Sequence, residues 1–181
     1  QTQIKKGTSY YFKFIDNFPD VKSLSQSSDT KILNIWQGLG YYNRALNMLH
    51  TARHVMKYHH GVFPNQYNEL IKLKGIGEYT ASAISSICND ESKAVLDGNV
   101  ARVLSRVYNV SKAIDSMAGK KELQTIAIKL LPSNNTGEYN QAIMDFGAIQ
   151  CVKYNPKCAI CPIISNCIAF QKNTIATRPV K

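Results

Sequence analysis

The sequence predicts an all-α fold, and three observations make that prediction. Apolar residues recur at helical three-to-four spacing in segment after segment, and clusters of Gly, Pro, Asn and Ser separate those segments. No stretch alternates apolar and polar residues as a half-buried strand would. With 44% hydrophobic residues among 181, the chain can build one sizeable core or two smaller ones.

Taken in order, Ile4, Tyr11, Phe14 and Ile15 give a helix over 2–17, ended at Phe18-Pro19 because a residue before proline is pushed out of the helical region. Ser28 and Asp29 suit an N-cap for a helix whose apolar face is Ile32, Leu33 and Trp36 and which Gly38 and Gly40 close. Ala45, Leu49, Ala52 and Val55 then carry a long amphipathic helix from Tyr41 to His59, stopped by Gly61 and Pro64. Further helices are expected over 67–72, 78–88, 99–108, 120–131 and 138–151.

The net charge is +10, from 22 Lys and Arg against 12 Asp and Glu, which favours a polyanionic partner through long-range attraction and counterion release. Charge alone is equally consistent with a solvated basic surface. No apolar run approaches the roughly 20 residues of a membrane helix, and no charged start leads into an apolar signal core. The expectation is an intracellular protein with no membrane partner.

Four of the five cysteines, Cys151, Cys158, Cys161 and Cys167, fall in the last fifth of the chain with gaps of six, two and five residues. In an intracellular chain such density points to thiolate ligation of a metal, with disulfides the least favoured reading. Zinc sites usually come as two close pairs, whereas here one pair, Cys158 and Cys161, has flanking partners, so a loop wrapping a cubane suits better and zinc is the alternative. Lys153 and Lys157 sit between ligands, where they could meet phosphate or be ordinary surface charge. Cys88 reads as a small buried apolar residue. His50 and His54, four apart on one helix, read as a solvated face, because no glutamate follows His50 as a zinc-protease pattern requires.

Residues 70–87 read LIKLKGIGEYTASAISSI, a helical end meeting Gly75-Ile76-Gly77 and a new helix opening at once. Free N–H groups at such a helix start, with its dipole behind them, suit a DNA phosphate, and Lys74, Gly75 and Gly77 are the expected contacts. Leu96-Asp97-Gly98-Asn99-Val100 follows about twenty residues later. A carboxylate there would stabilise positive charge, and it would equally cap the helix behind it.

Together these motifs resemble the helix-hairpin-helix DNA glycosylase superfamily, and the cysteine spacing resembles the cluster loop of its endonuclease III and MutY branches. Gln1-Thr2-Gln3, Gly38-Leu39-Gly40-Tyr41-Tyr42, residues 96–100 and Asn140-Gln141-Ala142 resemble MutY in particular. The resemblance implies two helical lobes, 1–93 with the hairpin and 94–181 with a [4Fe-4S] cluster on the four cysteines, and a lesion pocket between them. It implies a monomeric enzyme of the bacterial nucleoid that hydrolyses the N-glycosidic bond of adenine mispaired with guanine or 8-oxoguanine in double-stranded DNA.

By the same resemblance Asp97 faces the sugar cation, Asn99 binds the sugar side of the extruded adenine, and Gln1, Thr2, Leu39 and Tyr41 meet the helix near the opposite base. Tyr42 and Trp36 read as core. Tyr79 stands where endonuclease III relatives carry the lysine that attacks the sugar, which implies a monofunctional enzyme using water. The family's general-acid glutamate falls five residues ahead of Gln1, so the chain as written is expected to be inactive or nearly so, and its guanine-reading C-terminal domain falls beyond Lys181, so lesion discrimination is expected to be weakened. An endonuclease III-like lyase and a non-catalytic DNA-binding iron–sulfur module are the alternatives.

Overall fold

A computed structural model describes residues 4–181, and the expected class is what forms. All regular structure among the described residues is helical: ten α-helices, with three short 3-10 turns toward the C-terminus. Gln1 and Thr2 lie outside the described residues. The chain falls into two compact units, Gln1–Gly77 and Glu78–Lys181. The division expected after residue 93 differs from this one because the helix opening at Glu78 packs against Thr136–Ile149 of the second unit.

In the first unit, α1 (Ile4–Asn17), α3 (Asp29–Trp36) and α4 (Asn43–Tyr58) follow the apolar periodicity, with α5 (Tyr67–Leu70) before the hairpin turn. Phe18, Leu24, Ile32, Ile35, Ala45, Leu49 and Ala52 form the core, joined by partly buried Phe14 and Trp36. The Phe14 ring meets Phe18 and Trp36 edge-on at 5.1 and 6.1 Å. Fully burying a side chain such as Ile32 or Leu49 contributes roughly 1.5–3 kcal/mol. A helix the periodicity did not reveal, α2 (Val21–Ser25), packs on α4. Five residues are too few for a period, and its signal is chemical: Asp20 accepts from Ser23 N at 2.7 Å while Ser23 Oγ accepts from Asp20 N at 3.3 Å, a reciprocal cap.

In the second unit, α6 (Glu78–Asn89), α7 (Gly98–Val107), α8 (Met117–Leu130), α9 (Thr136–Ile149) and the short α10 (Ile168–Gln171) enclose Ala94, Val100, Ala101, Leu104, Val110, Leu123 and Ala127. Helix α8 starts at Met117 because Ser116 Oγ accepts from Gly119 N at 3.0 Å. Helix α9 has no cap from its own N-cap residue, and Asp90 at the end of α6 supplies one, accepting from Asn135 N and Gly137 N at 3.1 Å each.

Two expectations about single residues are corrected. Cys88 is exposed, because the buried face of α6 is Ala81, Ser82, Ser85 and Ser86. Tyr42 is 45% exposed, since it precedes the first turn of α4 instead of lying on its inner face. Trp36 is partly buried against the core, and both His50 and His54 are exposed.

Candidate functional site

The segment leading to Asp97 is held from the side. Asn140 of α9, only 1% exposed, accepts from Val95 N at 3.2 Å and donates to Lys93 O at 2.8 Å and Ser86 Oγ at 2.9 Å. Every polar atom of this buried amide therefore has a partner, and the 93–95 backbone is fixed to it. Asp97 then takes an extended conformation and caps α7, its Oδ1 accepting from Asn99 N at 2.8 Å and Val100 N at 2.7 Å. The capping role is thus present. It leaves Oδ2 with one acceptor contact, from Asn99 Nδ2 at 3.0 Å.

A continuous hydrogen-bonded line runs on from there. Asn99 Oδ1 accepts from Arg102 Nη2 at 2.9 Å, and Arg102 Nε donates to the Cys151 carbonyl at 2.8 Å. The same Nη2 donates to Gly147 O at 2.6 Å. Helices α7 and α9 can come this close because residue 147 is glycine: a Cβ there would stand 2.8 Å from Asn99 Cβ. Burial lowers the Arg102 pKa from its ordinary value, while the charges of Cys151 and Asp97 act the other way.

Asp97, Asn99 and Arg102 open onto a cavity of about 460 Å³ whose other wall includes Lys153, Tyr154 and Arg178. The Lys153 ammonium sits 4.7 Å from the centre of the Tyr154 ring. Tyr79, 47% exposed on the first turn of α6, donates to Met144 Sδ at 3.9 Å. Burial, and then the negative charge of Asp97, push its phenol pKa up, so Tyr79 and Asp97 feel one another and the phenol keeps its proton.

In the first unit the hairpin turn is tied to α4. Thr51 Oγ1 donates to the Lys74 carbonyl at 3.0 Å, and Ile76 N to Leu73 O at 3.1 Å. Gly75 has φ +83° and a Cβ there would meet Asn47 Cβ at 2.6 Å, whereas nothing lies within 4 Å of the place a Cβ would take at Gly77. Leu39 is partly buried, and Tyr41, at φ +50°, projects with 75% of its surface exposed. The Arg44 guanidinium lies 5.4 Å from the Trp36 ring and 5.7 Å from the Tyr41 ring.

The four cysteines of the C-terminal loop line one cavity with Arg106, Phe146 and Phe170. Burial raises the Cys158 pKa, and the charges of Cys151, Cys161 and Cys167 raise it further, as expected of thiols facing one another. Among the described residues no three His, Cys, Asp or Glu side chains converge closely enough to hold a single metal ion. As a donor set, four thiols around an apolar-walled cavity fit the corners of an iron–sulfur cluster, which takes one thiolate per iron.

The residues expected from sequence thus fall into groups: Asp97, Asn99 and Tyr79 in one, the four cysteines in another, and Lys74, Gly75 and Gly77 on one turn. Of the residues that fix the first group, Asn140 entered the sequence reading only as part of a resembling motif, and Arg102 and Gly147 had no role in it. Their signal was faint: Arg102 lies one helical turn after Asn99, but arginines on a basic chain are common.

Residues 1–130 match the family described as HhH-GPD superfamily base excision DNA repair protein. The adenine DNA glycosylase of Buchnera aphidicola from Acyrthosiphon pisum is 44% identical over 181 residues, covering 100% of this chain and 52% of that protein. The human adenine DNA glycosylase is 36% identical over 173 residues, covering 95% of this chain and 32% of its own length. The chain therefore spans about half the length of the bacterial relatives it matches. Among solved structures, a thermostable thymine-DNA glycosylase superposes with a TM-score of 0.82 at 27% identity, over 93% of this chain and 76% of that one. A non-covalent endonuclease III–DNA complex gives 0.82 at 20% identity, over 96% and 79%.

Proposed function

The chain belongs to the HhH-GPD superfamily of base excision DNA repair proteins, and from that premise we propose that it is the helical core of a monofunctional adenine DNA glycosylase. Its substrate is adenine opposite guanine or 8-oxoguanine in double-stranded DNA, and its reaction is hydrolysis of the N-glycosidic bond. The name shared by relatives at 36–44% identity supports the choice of base. It acts as a monomer in the bacterial cytoplasm, at the nucleoid; no described helix is long and apolar enough to cross a membrane.

The observation that carries the chemistry is Asp97, a carboxylate fixed by two backbone N–H groups and lining an open cavity. As the bond to adenine breaks, positive charge develops on the deoxyribose. A preorganised anion at about 4 Å, in an effective dielectric near 20, stabilises it by roughly 4 kcal/mol. Asn99 holds Oδ2 and stands ready to bond the sugar side of the nucleotide. Tyr79, neutral at physiological pH, positions the group beside it and offers no amine. Water is then the nucleophile, and protonation of the departing adenine falls to a general acid of the kind the family's glutamate provides.

Gly75 and Gly77 grip a phosphate of the same strand, with Lys74 beside them, and the open space over Gly77 is what an approaching phosphate needs. Leu39 and Tyr41, and Gln1 with Thr2, meet the bases around the extruded one. Extrusion costs a few kcal/mol of stacking, less for a mispaired base. Cys151, Cys158, Cys161 and Cys167, which line one cavity, would hold a [4Fe-4S] cluster that would cross-link the C-terminal loop, and Lys153 and Lys157, between the first two of them, would meet the DNA backbone.

Product analysis tests this reading. Joined to a segment that carries the family's general-acid glutamate, the protein converts duplex carrying adenine opposite 8-oxoguanine into abasic sites that break only on alkali treatment, and borohydride traps no protein–DNA adduct. A trapped adduct establishes the lyase instead, and duplex binding with no base released establishes the non-catalytic module.

A further inference from the structure

Arg106 of α7 is 3% exposed, yet among the described residues its guanidinium makes no ion pair with any carboxylate. It is bonded instead to main-chain oxygens from two segments: Nε to Arg178 O at 3.1 Å, Nη1 to Val152 O at 2.8 Å and Cys151 O at 3.5 Å, and Nη2 to Lys153 O at 3.1 Å. Nη1 also lies 3.4 Å from Cys151 Sγ, and the Arg106 carbonyl accepts from Cys167 Sγ at 3.6 Å. The side chain lines the four-cysteine cavity itself.

Carbonyl oxygens satisfy the donors of a buried cation but leave its charge uncompensated, and an uncompensated buried charge is strongly unfavourable. The group within reach that turns anionic on ligating a metal is Cys151 Sγ, and the other three sulfurs line the same cavity. Four thiolates around an iron–sulfur core leave the whole group anionic, and hydrogen bonds and charges at the sulfurs are what the protein uses to adjust it.

We propose that Arg106 is the countercharge of the four-cysteine site, a positioning residue that sets one positive charge against the thiolates from inside the fold. This rests on the iron–sulfur reading above. The guanidinium is suited to the task because it stays ionised when buried and its planar fork reaches the sulfur and the carbonyls of the same loop at once. Adding an electron to an anionic group is easier beside a cation, so loss of Arg106 makes the cluster harder to reduce.

The test uses the reconstituted holoprotein in three forms, wild type, Arg106→Lys and Arg106→Gln, with helicity by circular dichroism, iron and sulfide per chain, and the cluster midpoint potential as readouts. Arg106→Gln is expected to shift the potential to more negative values and to lose iron faster to a chelator, and Arg106→Lys, which keeps the charge but not the fork, to recover most of both. Should Arg106→Gln fail to load, recovery of loading in Arg106→Lys supports the proposal. It is overturned if Arg106→Gln keeps the wild-type potential and iron retention, or if Lys and Gln are impaired alike, which marks geometry and not charge. Wild type that takes up no iron overturns the cluster reading and this proposal together.

Discussion

At the scale of residues, Asp97 combines two uses of one side chain. Its Oδ1 is engaged as a helix cap and its Oδ2 accepts from Asn99 Nδ2, and as proposed it also faces the sugar, which a carboxylate can do because its two oxygens offer about four lone-pair sites. The sequence motif made Asp97 legible. It could not reveal Asn140 or Arg102 as supports, since these depend on which helices meet. Tyr79 offers a spectroscopic check on the arrangement: Asp97→Asn removes the negative charge that helps raise the phenol pKa, so Tyr79 is expected to titrate at lower pH in the variant, by ultraviolet difference spectroscopy, against an unchanged value if the two are far apart. Burial and Asp97 both favour the neutral phenol, so any stability linked to Tyr79 is complete below its unfolded-state value near 10 and is lost only as pH rises through the higher folded value. The neutral range should show no stability change from this group.

At the scale of elements, the long helices were legible because their apolar faces repeat over several turns, as with Ala45, Leu49, Ala52 and Val55 on α4. Helix α2 was not, because a five-residue element rests on its cap and its neighbours instead of a period. The hairpin turn separates two kinds of glycine. Gly75→Ala combines a left-handed φ with contact at Asn47 and is expected to lower stability by about 1–3 kcal/mol, read as a fall in Tm. Gly77→Ala meets nothing in the protein, so it should leave Tm near wild type and weaken duplex binding by fluorescence anisotropy. Equal binding for Gly77→Ala and wild type would remove this turn from the interface. Gly147→Ala, pressed against Asn99, is expected to lose stability and excision rate together, because the Cβ displaces the cap that holds Asp97.

At the scale of the molecule, the fold class could be read from sequence, whereas the unit boundary could not: a linker of unusual composition is absent between Gly77 and Glu78, and α6 joins the second unit through contacts with α9 that lie far along the chain. The +10 charge, undecided on its own, gains a direction from the hairpin and the family. If roughly six phosphates are neutralised on binding, log Kd should change with log salt with a slope of about 5, and a flat salt dependence would mean the basic residues are merely solvated.

The central claim is electrostatic and belongs to Asp97. The decisive measurement is the single-turnover excision rate of Asp97→Asn against wild type, each joined to a segment that carries the family's general-acid glutamate, at saturating duplex with adenine opposite 8-oxoguanine. Asparagine retains a cap oxygen and the shape but not the charge, so binding should persist while the rate falls about a thousandfold, the equivalent of roughly 4 kcal/mol. A variant that excises adenine at the wild-type rate would contradict the account.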